Sequence, residues 1–140
     1  MWKWATFLHQ MAWEWNFVIT LVFWTMLYPF QTHGTSPRLN RWLNFMDHIC
    51  PFGYVTIDWF LSAMRYEKTT IIPNLVVVAL YGVLNITFTK VTGKPVYPPL
   101  ITWDSPLSWT IGLALIPLFA GVYYLEYWLT SIKMKTINSK

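Results

Sequence analysis

Glu14, Asp47, His48, Asp58 and Glu126 each stand inside or at the edge of an apolar run. An imidazole and carboxylates are the side chains that proton transfer to and from a reacting group requires. An ionisable group at membrane depth is also costly unless it is paired or faces a wet cavity, so each of the five is a candidate for function. His48 acting as a general base needs a further group to orient its ring. Asp58 is not that group on one straight helix, because their separation in sequence corresponds to about 15 Å along the axis. His48, Val55, Trp59 and Ser62 share a face, and Asp58 lies to one side of it. The orienting partner is therefore expected on another segment, with Asn85 and Glu14 as candidates.

Each candidate also has a purely structural account. Asp47 and His48 are expected in the first turn of a helix beginning near Asn44, where a carboxylate complements the helix dipole. Glu14 in Trp13-Glu14-Trp15, and Glu126 in Tyr123-Tyr124-Leu125-Glu126-Tyr127-Trp128, have the surroundings of interface belts in which a carboxylate snorkels to the headgroups. Asp47, Asn85 and Glu126 are accordingly taken as structural or lipid-facing polar positions. Asp47, His48 and Cys50 have metal-ligand chemistry, but neighbouring helical residues diverge by about 100° and no second ligand pair is near. No metal and no cofactor is expected.

The elements that must position these residues follow from composition. A chain of 140 residues with 55% hydrophobic, 19% aromatic and 11% charged residues carries too little charge for a water-soluble surface, where about a quarter of residues are charged. The expectation is an all-α integral membrane bundle of about four transmembrane helices, forming one domain over 1–140. The spans are read at about 4–28, 44–64, 71–89 and 105–129. The first is read as a retained helix, since its apolar core exceeds a signal sequence's and no small-residue cleavage pattern follows. Pro29 and the polar run Gln31-Thr32-His33-Gly34-Thr35-Ser36-Pro37 end the first span, and the prolines of Thr92–Pro99 impose an extended link between the last two. Ten Lys and Arg give a net charge of +4 without the basic stripe that follows a nucleic acid backbone. Four spans place Lys3, Arg65, Lys68, Lys133, Lys135 and Lys140 on one side and Arg38, Arg41, Lys90 and Lys94 on the other, a weak bias toward cytoplasmic termini. Cys50 is the sole cysteine, which excludes an intramolecular disulfide.

Four features occur in order: Phe17–Tyr28 (FVITLVFWTMLY), Arg41-Trp42-Leu43-Asn44 leading to His48, Asp58, and Val91-Thr92-Gly93-Lys94-Pro95-Val96-Tyr97-Pro98. Together they resemble the FAR-17a/AIG1 family of androgen-induced membrane proteins. That resemblance implies a multi-pass fold of about six helices and a threonine-dependent hydrolysis of hydroxy fatty acid esters within the membrane. It places His48 on the family's catalytic histidine and Asp58 on an acidic position of the same helix. The chain corresponds to the family's last four helices, so no residue inherits the nucleophilic threonine. Thr6, in Lys3-Trp4-Ala5-Thr6-Phe7, has similar surroundings but leaves no room for a separate helix before the first span.

A histidine without a placed hydroxyl is not an acyl-transfer site. The expected function is thus a small non-catalytic, lipid-binding or structural subunit of a larger membrane assembly, such as a mitochondrial inner-membrane complex. Its partners are membrane lipids and other integral membrane subunits, not nucleic acid. The alternative is an intramembrane ester hydrolase of the endoplasmic reticulum or another endomembrane, with His48 as base and a hydroxyl such as Thr20, Thr25, Thr56, Thr87 or Ser62 replacing the nucleophile.

Overall fold

A polar stripe organises the first helix, α1 (Trp2–Val22). Thr6, Gln10, Glu14 and Val18 recur every fourth residue and are buried, with Trp13 beside them, while Trp4 and Leu8 point outward. The computed structural model describes residues 2–30, 37–98 and 100–138. The polar run 31–36, Pro99, Ser139 and Lys140 lie outside the described residues. The helix then passes into a π-helical turn over Phe23–Leu27, in which the Tyr28 N–H donates to the Phe23 carbonyl. Pro29 follows inside a 3-10 turn, Tyr28–Phe30. Proline has no N–H to return to the preceding turn, and wide and tight turns absorb the mismatch before the helix stops.

The segment expected to be one helix over 44–64 is two. Helix α2 spans Pro37–His48 and α3 spans Cys50–Leu61. Pro37 opens α2 at a position where a missing N–H costs nothing, so the helix starts earlier than expected. Asp47 and His48 therefore occupy its last turn, not a first turn, and Asp47 is exposed. Pro51 at the start of α3 interrupts the ladder, although Ile49 N donates to Phe45 O and Gly53 N to Ile49 O at 2.9 Å each across the break. The His48–Asp58 relation assumed for a straight helix thus gives way to a break at Ile49.

Helix α4 spans Ile71–Thr92 and α5 spans Pro106–Asn138. Both run beyond the expected 71–89 and 105–129. Gly93 ends α4 with φ +66°, its N–H donating to Thr89 O; this left-handed cap suits glycine. At the start of α5, Ser105 Oγ accepts from Ser108 N at 3.2 Å and Pro106 takes the first helical position. Among the described residues there is no strand, and the fold is all-helical; the one ladder contact is an isolated bridge between Tyr97 and Ile101. The residues 68–92 and 106–138 are the two helical stretches long and apolar enough to cross a membrane.

The chain packs as two compact units, one of Met1–Lys68 with Val122–Lys140 and the other of Thr69–Gly121. In the first unit α1 runs antiparallel to α3: His9 meets Asp58 near the end of α3, and Thr20 donates to the His48 carbonyl at the other end of α1. In the second, the buried stripe of α4 is Asn74, Val78, Asn85 and Thr89. Trp103 Nε1 donates to Asn85 Oδ1 at 2.7 Å.

Candidate functional site

The first unit gathers its polar side chains where α1, α3, the 62–68 link and the second half of α5 meet. His9 is the centre. Its Nε2 lies 2.6 Å from Asp58 Oδ2 and its Nδ1 2.6 Å from the Tyr66 hydroxyl. The imidazole is nearly buried, 11% exposed, whereas Asp58 is 63% exposed, so the pair runs from the interior to the surface of the unit. An ionised Asp58 fixes the proton on Nε2; Nδ1 then accepts from the phenol when the ring is neutral and donates to it as imidazolium. Beyond Tyr66 lies Glu126, and beyond Glu126 lies Glu14. Both glutamates are fully buried, at 0% exposure. The expectation that they snorkel at an interface is thereby corrected. Helical spacing aims Glu14 along the stripe of Thr6 and Gln10, and it aims Glu126 along the stripe of Tyr123 and Thr130.

The end of α5 clasps the end of α3 around this cluster. Trp59 Nε1 donates to Thr130 Oγ1 at 2.9 Å. The Lys133 ammonium donates to the Trp59 carbonyl and, at 2.6 Å, to the Ser62 carbonyl, and it sits 4.6 Å from the Trp59 ring centroid. These are the carbonyls that a helix C-terminus leaves open. Tyr123 donates to Glu67 O at 2.5 Å and fastens the link. Burial, followed by the nearby Glu126 carboxyl, holds the Tyr66 phenol well above the ordinary tyrosine range. Held protonated in this way, the phenol is available as a hydrogen-bond donor.

His48 occupies a different place. Its ring stacks on Phe23 with centroids 3.5 Å apart and planes 20° apart, and its Nδ1 is buried without a hydrogen bond among the described residues. The hydroxyl nearest in the contacts, Thr20, is spent on the His48 backbone carbonyl. Of the two expected orienting partners, Asn85 accepts from Trp103 with its side-chain oxygen, and Glu14 is electrostatically coupled to Glu126. Asp58 pairs with His9, not with His48. Of the three residues taken as structural or lipid-facing polar positions, Asp47 is exposed, whereas Asn85 and Glu126 are buried.

His9 and Tyr66 were not evident as site residues. The available signal was periodic: Thr6, Gln10 and Glu14 at four-residue steps, with His9 beside Gln10, mark a polar face in an otherwise apolar helix. No group of three or more His, Cys, Asp or Glu side chains among the described residues is arranged to hold a metal ion.

Compared with known proteins, the chain matches no family model, no curated protein and no solved structure. The resemblance to the androgen-induced family thus stands on its motifs alone.

Proposed function

We propose that this chain is a four-span integral membrane protein serving as a non-catalytic, lipid-binding or structural subunit of a larger membrane assembly. The observation that carries the reading is how little of the two most apolar helices the chain itself covers. Only 17% of the apolar core of 68–92 and 22% of that of 106–138 is buried within the fold. Surfaces such as Leu80, Val83 and Leu84 on α4 and Leu113 on α5 need acyl chains or neighbouring subunits around them.

The proposal extends the membrane set to α1 by its reach and outer face, and to the α2–α3 pair by its packing along α1. Twenty-one residues of α1 reach about 31 Å, the thickness of a hydrocarbon core. Its mean hydropathy is depressed by Gln10 and Glu14, yet these point inward, and what faces outward is Trp4, Leu8, Ile19 and Leu21.

The non-catalytic part of the reading rests on nucleophile geometry. His48 stacks on a phenylalanine, and His9 addresses a phenol that stays protonated. Neither is a base with a placed aliphatic hydroxyl. The purified chain is expected to show no turnover of long-chain hydroxy fatty acid esters, His48→Ala is expected to change only stability or lipid occupancy, and affinity purification of the chain is expected to bring other membrane subunits with it. Turnover abolished by His48→Ala and by replacing one membrane-depth Thr or Ser would establish the hydrolase instead.

A further inference from the structure

The first unit contains an open cavity of about 220 Å³, roughly the space of seven water molecules. One wall is a single stripe of α5: Tyr127, Ser131, Lys135 and Asn138 recur at helical spacing, and the 62–68 link adds Arg65 and Tyr66. Two cations, four hydroxyls and a carboxamide thus line one opening, with Thr130 and Met134 completing the wall. Around it further cations stand among carboxylates, of which Asp58 and Glu126 act on the lining Tyr66. The Lys68 ammonium lies 5.2 Å from the Tyr127 ring centroid, and Lys133 caps α3 a turn away; the exposed Glu67 is the one carboxylate in the link.

The cavity's position adds the second half of the argument. It sits where α3 and α5 end, beside the outward-facing Tyr124, Trp128 and Ile132 of α5. Exposed aromatic side chains followed by aliphatic helix surface are what the boundary between headgroups and acyl chains requires. A basic pocket between helix ends at that depth is suited to a phosphate that carries acyl chains.

We infer that the cavity lined by Arg65, Ser131, Lys135 and Asn138 binds the phosphate of an anionic phospholipid, whose acyl chains then lie along the uncovered face of α5. This deepens the lipid-binding reading given above and rests on it. Arg65 supplies a planar fork for two phosphate oxygens and Lys135 a point charge. Ser131 is shared, since its hydroxyl already donates to Tyr127 O at 2.8 Å and offers the lipid its lone pairs or a bifurcated proton.

The test uses the full chain in detergent micelles, titrated with phosphatidylglycerol and with phosphatidylcholine of the same acyl length, bound lipid being counted by native mass spectrometry. Phosphatidylglycerol is expected to bind at least about 10-fold more tightly, and the Arg65→Gln/Lys135→Gln double variant to lose about 10- to 30-fold of that affinity with phosphatidylcholine binding unchanged. Arg65→Lys/Lys135→Arg restores most of it, and Lys94→Gln leaves it as it was. Should the double variant fold poorly, the unmodified chain still decides, because its preference for phosphatidylglycerol must fall as salt rises. Equal binding of the two lipids, or a double variant that keeps the preference, overturns the assignment. Inorganic phosphate displacing the lipid at equal concentration overturns it in favour of free phosphate. None of these outcomes depends on ester turnover, so failure here is distinct from failure of the subunit reading.

Discussion

At the scale of single residues, Trp103 shows opposing effects that magnitude can decide. Its backbone is left-handed, φ +63°, an uncommon state for a bulky side chain. The indole is held by Asn85 and lies over Gly112, where an added Cβ would come within 2.7 and 2.9 Å of ring carbons. Gly112→Ala gains up to about 1 kcal/mol of helix propensity but costs about 1–3 kcal/mol of overpacking. The ring's displacement also loses the Asn85 hydrogen bond. Net destabilisation is expected in detergent unfolding, and in a Trp103→Ala background the same change should turn stabilising; a substitution that stabilises both backgrounds would show that the ring does not rest there. Tyr66 makes a second prediction. Its phenol keeps its proton in the fold above the pH at which the unfolded phenol loses it, about 10. The unfolded state then binds fewer protons than the folded one, so stability is unaffected below that pH and declines as pH rises beyond it. Tyr97, raised by burial and by its hydrogen bond with Tyr81, adds to the decline. Tyr66→Phe should flatten the alkaline loss measured by thermal unfolding between neutral pH and pH 11, and an unchanged slope would contradict the burial of that hydroxyl.

At the scale of elements, helix ends carry identifiable stabilising contacts. Ser105→Ala removes the acceptor for Ser108 N and should lower stability by about 1 kcal/mol, with Ser105→Asp restoring it. Lys133→Met keeps the aliphatic stem over the Trp59 ring but withdraws the ammonium from the Trp59 and Ser62 carbonyls, and should cost about 1 kcal/mol. Unfolding midpoints of the two single variants and the pair should be additive, since the two positions lie toward opposite ends of α5. Much of this level was legible beforehand. Apolar length marked α4 and α5 and Pro29 marked the end of the first helix, while the caps at Gly93 and Ser105 appear only in the structure. The start of α2 was misplaced because its first turns, Pro37–Arg41, are polar and hydropathy alone reads them as loop. Glu14 and Glu126 were misassigned for a related reason: aromatic neighbours in sequence suggest an interface, but Trp13 and Tyr123 are themselves buried on the interior side with the two carboxylates. The contact of His9 with Asp58 joins residues 49 apart in the chain, a pairing no local pattern specifies.

For the whole molecule, several polar side chains are buried while many large apolar ones are exposed. Glu14, Glu126 and Ser108 are at 0% exposure, while Leu61 is 82% exposed. Exposed apolar helix surface of this kind suits hydrocarbon as the surrounding solvent, as the proposed membrane location requires. It leaves two topologies to separate. If α4 and α5 alone cross, residues before α4 all lie on the side that holds the end of α5. If α1 and the α2–α3 pair also cross, the segment between them lies on the opposite side. Ser36 is therefore the discriminating position, since Arg65 and Ser139 share a side, and Lys94 takes the other, in both arrangements. The proposed four-span arrangement draws on the contacts of α1 with α2 at one end, Thr20 with the His48 carbonyl, and with α3 at the other, His9 with Asp58, which make α1 and the α2–α3 segment about equal in reach. In a Cys50→Ala background, single cysteines at Ser36, Arg65, Lys94 and Ser139 should react with an impermeant maleimide in sealed vesicles in two sets, Ser36 with Lys94 and Arg65 with Ser139. Ser36 labelling together with Ser139 would reduce the membrane part to α4 and α5 and defeat the four-span arrangement.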